Sequence, residues 1–163
     1  MVDEGQHAAC VDEWLGRTAK GLSSEALLRL FEAAIGAVWT RTKTTLGEVT
    51  LTAIAERVLH NASEKFSLLW SLKVEPTGGI QCRELRDRIG SVQLSELREA
   101  LRFVLVELLT VIGNLTAEIL TPELHLEIYG IVLPEAIQVG KSASGQSTGS
   151  VSESGEGKKS WRK

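Results

Sequence analysis

Cysteine, histidine and aromatic residues are scarce in this chain, and each scarcity removes a class of explanation. Two cysteines stand among 163 residues, Cys10 and Cys82, in separate segments and with no Cys-x-x-Cys pairing. A disulfide framework needs more, so reduced thiols are expected. Aromatic residues make up 5% of the chain. The core must therefore come from Leu, Ile, Val and Ala, a supply that suits facing helix surfaces. The three prolines, Pro76, Pro122 and Pro134, punctuate the chain at three places and interrupt none of the long periodic segments. No Gly-x-Gly-x-x-Gly or Gly-x4-Gly-Lys-Ser/Thr occurs, so nucleotide binding has no signature here.

An uninterrupted apolar run is also missing. The longest, Phe103 to Leu120, is broken by Glu107, Asn114 and Glu118. Three such residues at bilayer depth are expensive, so a buried helix is expected instead of a membrane span. Met1 to Ala9 carries Asp3 and Glu4 without an apolar stretch, so no secretory signal is read and the cytoplasm is the expected compartment. Asn61-Ala62-Ser63 and Asn114-Leu115-Thr116 are then chance sequons.

Charge disfavours a polyanion partner for the body of the chain. Net charge is −3. Residues 140–163 hold five basic and two acidic residues, net +3, which leaves −6 for residues 1–139. An acidic surface repels a phosphate backbone.

What is present is helical periodicity. Residues 1–21 are polar, with one apolar patch at Val11, Trp14 and Leu15, and read as an arm or a short helix. Ser23 or Ser24 is a good N-cap for a helix through Leu27, Leu30, Phe31, Ala34, Ile35 and Val38, expected to end among Thr40 to Thr45. A second runs from about Leu46 to Ser63 on Leu51, Ile54, Ala55, Val58, Leu59 and Ala62. Pro76-Thr77-Gly78-Gly79 signals a turn within a short hairpin or extended loop near residues 70–82. A short helix over Arg83 to Ile89 follows. The longest helix is expected from Ser95 to about Leu120, and Thr121-Pro122-Glu123 starts the last, which Pro134 ends. From Gly140, half of the 24 residues are Gly or Ser, a composition that predicts a disordered tail with a basic end, Lys158 to Lys163. The fold class expected is all-α: a four- to five-helix bundle with a turn-rich insert near residues 70–82.

Three groups of residues are candidates for function. Glu56, His60 and Glu64 stack at i, i+4 and i+8, a column able to bind a ligand or switch a proton, although a solvated face is the commoner meaning. His60-Asn61 is similar to the start of the phosphoacceptor helices of two-component signalling, two letters that identify no family. Glu107, Asn114 and Glu118 form a polar stripe that reads as solvent-facing or as a seam between subunits. Val104, Leu108, Ile112 and Leu115 are the expected dimer seam, because the helix carrying them is apolar nearly all round. Trp39, Leu46, Val49 and Trp70 lie off the main stripes, a surplus that often marks an interface. Residues 80–106 have a helix-turn-helix outline, but its second helix opens on Glu96 and Glu99 beside Arg98 and Arg102, acids that would face phosphates. His125 reads as a helix-surface residue and His7 as part of the polar arm.

The functional expectation is a non-enzymatic regulatory or adaptor module, of a kind found in bacterial-type signalling. It acts through protein–protein contact as a homodimer, needs no metal or cofactor, and meets an unknown protein partner. A helix-turn-helix regulator and a small-molecule or metal sensor using the bundle interior are the alternatives.

Overall fold

A computed structural model describes residues 4–132. The chain divides into two compact units after Ile131, and of the second only Val132 is described. The expected tail from Gly140 lies outside the described residues.

The first unit is all-α with one small hairpin. Its elements are α1 (Glu4–Thr18), α2 (Ser24–Leu46), α3 (Glu48–Lys65), a 3₁₀ turn (Ser67–Ser71), β1 (Lys73–Glu75), β2 (Gly79–Gln81), α4 (Arg83–Asp87), a second 3₁₀ turn (Ile89–Ser91), α5 (Leu94–Leu115) and α6 (Thr121–Tyr129). The polar arm is thus a helix of four turns, held by the patch read from sequence: Val11, Trp14 and Leu15 are buried.

The N-cap of α2 is Ser23, whose hydroxyl accepts from the Ala26 amide. This helix does not stop among the threonines but runs on to Leu46. Thr42 is fully buried and its hydroxyl donates to the Val38 carbonyl at 2.7 Å, so the helix supplies the partner that burial demands. Helix α5 is the centre of the unit. Leu97, Ala100, Leu101, Val104, Leu105, Leu108, Leu109 and Ile112 recur at three- and four-residue spacing and are all buried. They pack against α1, α2, α3 and α6.

The insert resolves into a hairpin with Val74 opposite Ile80 and Glu75 opposite Gly79. Gly79 has φ +80°, and a Cβ there would stand 3.2 Å from the Trp39 ring. The hairpin therefore lies directly on Trp39, whose indole N–H donates to the Pro76 carbonyl at 3.2 Å. Trp39 is buried by this roof and is a core residue, not part of a surface surplus.

Helix α5 ends at Leu115, five residues before the expected Leu120. Its end is a Schellman turn. The Glu118 amide donates to the Gly113 carbonyl at 2.8 Å, and the Ala117 amide to that of Asn114 at 3.4 Å. Ala117 (φ 51°) and Glu118 (φ 65°) both adopt left-handed backbone, where glycine is usual. Thr121 and Pro122 then open α6 as the sequence signals. Helix α6 stops at Tyr129, before Pro134 is reached.

Candidate functional site

Beside scattered exposed apolar residues such as Val49, Ile119 and Leu126, two places in this unit combine a departure from apolar inside and polar outside with a built surrounding. One is the seam between α1 and α6. Trp14 of α1 donates its indole N–H to the Ile131 carbonyl at 3.0 Å, and Arg17 reaches the Tyr129 carbonyl. One turn earlier, Cys10 and Glu13 face Tyr129, whose hydroxyl donates to the Glu13 carboxylate at 3.1 Å. At the start of the seam, His7 Nδ1 lies 3.1 Å from His125 Nε2, with the rings edge to face.

His7 is only 1% exposed. Its other nitrogen, Nε2, points at Glu118 Oε1 at 3.6 Å, inside ion-pair range but beyond a hydrogen bond. The left-handed turn after α5 swings this carboxylate into place, and Thr121 donates its hydroxyl to Oε1. Gly113 leaves the room: a Cβ there would lie 2.5 Å from Glu118 Oε2. His7 Nε2 and Glu118 Oε2 are buried and have no hydrogen-bond partner. Two residues in strained backbone next to two unsatisfied buried atoms are a costly arrangement, of a kind that clusters at functional sites.

The electrostatics follow from the geometry. An N–H on His7 Nε2 suits the carboxylate it faces, which leaves Nδ1 to accept from His125 Nε2–H. Burial pulls both imidazoles below their ordinary value of 6.5, and outweighs the upward pull of Glu118. The neighbouring Cys10 thiol is pushed up by burial, and partial burial with Cys10 and Glu13 alongside lifts the Tyr129 phenol to about 12. Cys82, buried near Glu32, is likewise raised to about 12. Both thiols are thus protonated and unreactive at neutral pH. Among the described residues no group of three His, Cys, Asp or Glu is arranged to hold a metal.

The second departure is an exposed surface around Trp70. Its side chain, in the first 3₁₀ turn, is 75% exposed. It walls two clefts at once. One, of about 330 Å³, runs between α3 and the hairpin past Glu56, His60, Leu72 and Val74. The other, of about 520 Å³, lies towards α4 beside Glu84 and Arg88. Buried Leu68 and Leu69 before it and buried Leu72 after it fix the turn and leave the indole outward.

The sequence-derived candidates are dispersed by the fold. Val104, Leu108 and Ile112 are fully buried within the one chain, so the expected seam is the unit's own core and only Leu115, 58% exposed, is left for a second molecule. The polar stripe divides where α5 ends: Glu107 is half-buried, Asn114 is exposed, and Glu118 turns inward. In the Glu56, His60 and Glu64 column, His60 lies 3.2 Å from Glu64 at an exposed surface, and Glu56 and His60 share the wall of the Trp70 cleft. Val49 joins Trp70 as an exposed apolar residue, whereas Leu46 is half-buried. In the helix-turn-helix outline, Arg102 is bound to Asp12 of α1 through two hydrogen bonds and is not presented to a phosphate. The cavity in the bundle interior, between α1, α2 and α5, measures about 10 Å³. That is room for a water molecule at most, so a ligand there would first have to open the core.

His7 and His125 were the residues missed. They are 118 positions apart, and neither has a patterned neighbour. Gly113, a glycine inside a strongly apolar helix, was the local signal that something approaches that helix closely.

No protein-family model, curated protein or solved structure matches this chain.

Proposed function

We propose that this chain is a non-enzymatic interaction module that works by protein–protein contact, and that it pairs with a second copy of itself through the Trp70 surface. The observation that carries this reading is the 75% exposed indole standing between two clefts. Tryptophan is the residue type most enriched among interface anchors, and its burial in a partner's pocket contributes more than most neighbouring contacts together.

A second copy fits because knob and hole are adjacent on one surface. A two-fold axis carries each Trp70 onto the partner's cleft, an isologous arrangement that closes as a dimer. An apolar cavity of about 150 Å³ accepts benzene, so the cleft of about 330 Å³ has space for an indole. The two clefts beside Trp70 each carry both signs, Glu56 and Lys73 on one and Glu84 and Arg88 on the other, so a rotated copy can set acid against base. Catalysis has less support: both thiols are protonated, and the exposed His60 is paired with Glu64 at the surface.

The test is light scattering of the full chain across a range of concentrations, beside Trp70→Ala. The reading expects a dimer that Trp70→Ala converts to monomer without loss of helix content. A wild-type chain that stays monomeric at every concentration, or a Trp70→Ala variant that dimerises equally well, contradicts it.

A further inference from the structure

The contact between His7 and His125 has an electrostatic property that the dimer reading does not use. At 3.1 Å the two facing nitrogens need one proton between them, one donating and one accepting. A first added proton costs less than a second. It goes to the outer nitrogen of His125, keeps His125 Nε2–H pointing at His7 Nδ1, and is balanced by Glu118. A second proton has only His7 Nδ1 to occupy, and two N–H groups then meet head-on.

We propose that the His7–His125 pair is an acid-sensitive latch that holds the first two turns of α1 against α6 and releases them when both imidazoles are protonated. Among the described residues the charged and titratable groups facing the pair are few. From the α5–α6 turn comes Glu118, with Thr121 hydrogen-bonded to it. Next along the seam are Cys10 and Glu13 of α1 and Tyr129 of α6. From α5, Arg102 and Glu107 share a surface cleft with Gly5 and Ala8, and Arg102 is already committed to Asp12. Among the described residues only Glu118 offers the pair a compensating charge, and one carboxylate cannot balance two imidazolium ions.

Release is confined to the start of the helix by what anchors the remainder. Between Gly5 and Cys10 only His7 and Cys10 are buried, whereas Val11, Trp14 and Leu15 are all buried further on. The apolar half of α1 stays docked on α5 while the polar half lifts. The sign agrees with the titration: burial lowers both imidazoles, so the released state binds more protons, and the latch is closed above about pH 6.5 and loosens below it.

Hydrogen exchange of the full chain at about pH 7.5 and about pH 5.5, corrected for intrinsic exchange, reads this directly. A latch coupled to one proton loses protection by roughly tenfold per pH unit. Amides 5–10 are therefore expected to lose protection at acid pH while those of α2 keep theirs. Two variants separate a latch from ordinary packing. His125→Gln still donates to His7 but cannot take a proton, so its amides 5–10 exchange alike at both pH values. Glu118→Gln keeps the Thr121 contact and removes the compensating charge, so its acid response is steeper than that of the wild type. Unchanged protection of amides 5–10 in the wild type overturns the proposal. So does a His125→Gln variant that keeps the full acid response.

Discussion

At the α1–α6 seam, two imidazoles and a carboxylate occupy space where aliphatic carbon would otherwise pack. At the Trp70 surface, an indole stands in water although the core beneath it is built of leucine. Neither arrangement favours the isolated chain, and that is the lesson of comparing them. A buried polar group and an exposed large apolar group are the two departures that hydrophobic burial does not explain. On the two proposals made above, the seam answers to pH and the surface to a partner.

The comparison breaks most sharply if the seam is opened at its apolar anchor. Trp14 is 1% exposed and hydrogen-bonded to Ile131, so Trp14→Ala is expected to cost about 3–5 kcal/mol by urea unfolding. A cost under about 1 kcal/mol, the size expected of an ordinary surface change, would mean that α1 is not part of the cooperative unit.

Much of this was legible in sequence, and the boundary of what was legible has physical reasons. The faces of α2 and α3 were read correctly because burial imposes a 3.6-residue period on them, whereas α5 is apolar nearly all round and its core stripe was assigned to a dimer seam. Trp70 was noticed because it lies off the stripes. The end of α5 was misplaced because Glu118 continues the spacing of Glu107 and Asn114, so the stripe looked continuous. Two left-handed residues that are not glycine, Ala117 and Glu118, carry no sequence signal of the turn they make. The histidine pair was invisible for a different reason: periodicity fixes which face a residue shares and says nothing of which helix lies opposite.

A smaller effect separates the two regions by pH. The wild type is expected to lose stability as pH falls below about 6.5, because the unfolded chain binds protons that buried His7 and half-buried His125 resist. Melting followed by circular dichroism between about pH 7.5 and about pH 5.5 checks it, with Trp70→Ala showing the same slope as the wild type. If His125→Gln does not flatten that slope, the acid sensitivity belongs to other groups.

Relieving strain sharpens the account further. Ala117 holds φ 51° to carry Glu118 into the seam. Ala117→Gly is expected to stabilise the fold by about 1 kcal/mol, since glycine meets no steric penalty in left-handed backbone. Destabilisation on that substitution would show that the turn is not held in this conformation. The smallest effect belongs to the exposed indole. Trp70→Ala, compared at concentrations low enough to keep the wild type monomeric, is expected to change unfolding free energy by less than about 0.5 kcal/mol. A larger loss would place Trp70 among the residues that hold the fold together.

The most direct test of the central claim is fluorine NMR of the full chain with 5-fluorotryptophan at its four tryptophan positions, recorded over a dilution series. The account predicts that the Trp70 resonance has the solvent-isotope shift of an exposed indole when dilute and moves to a buried position as concentration rises. The resonances of Trp14 and Trp39 stay fixed. A Trp70 resonance unchanged across the series, or one already shielded from solvent when dilute, would contradict it.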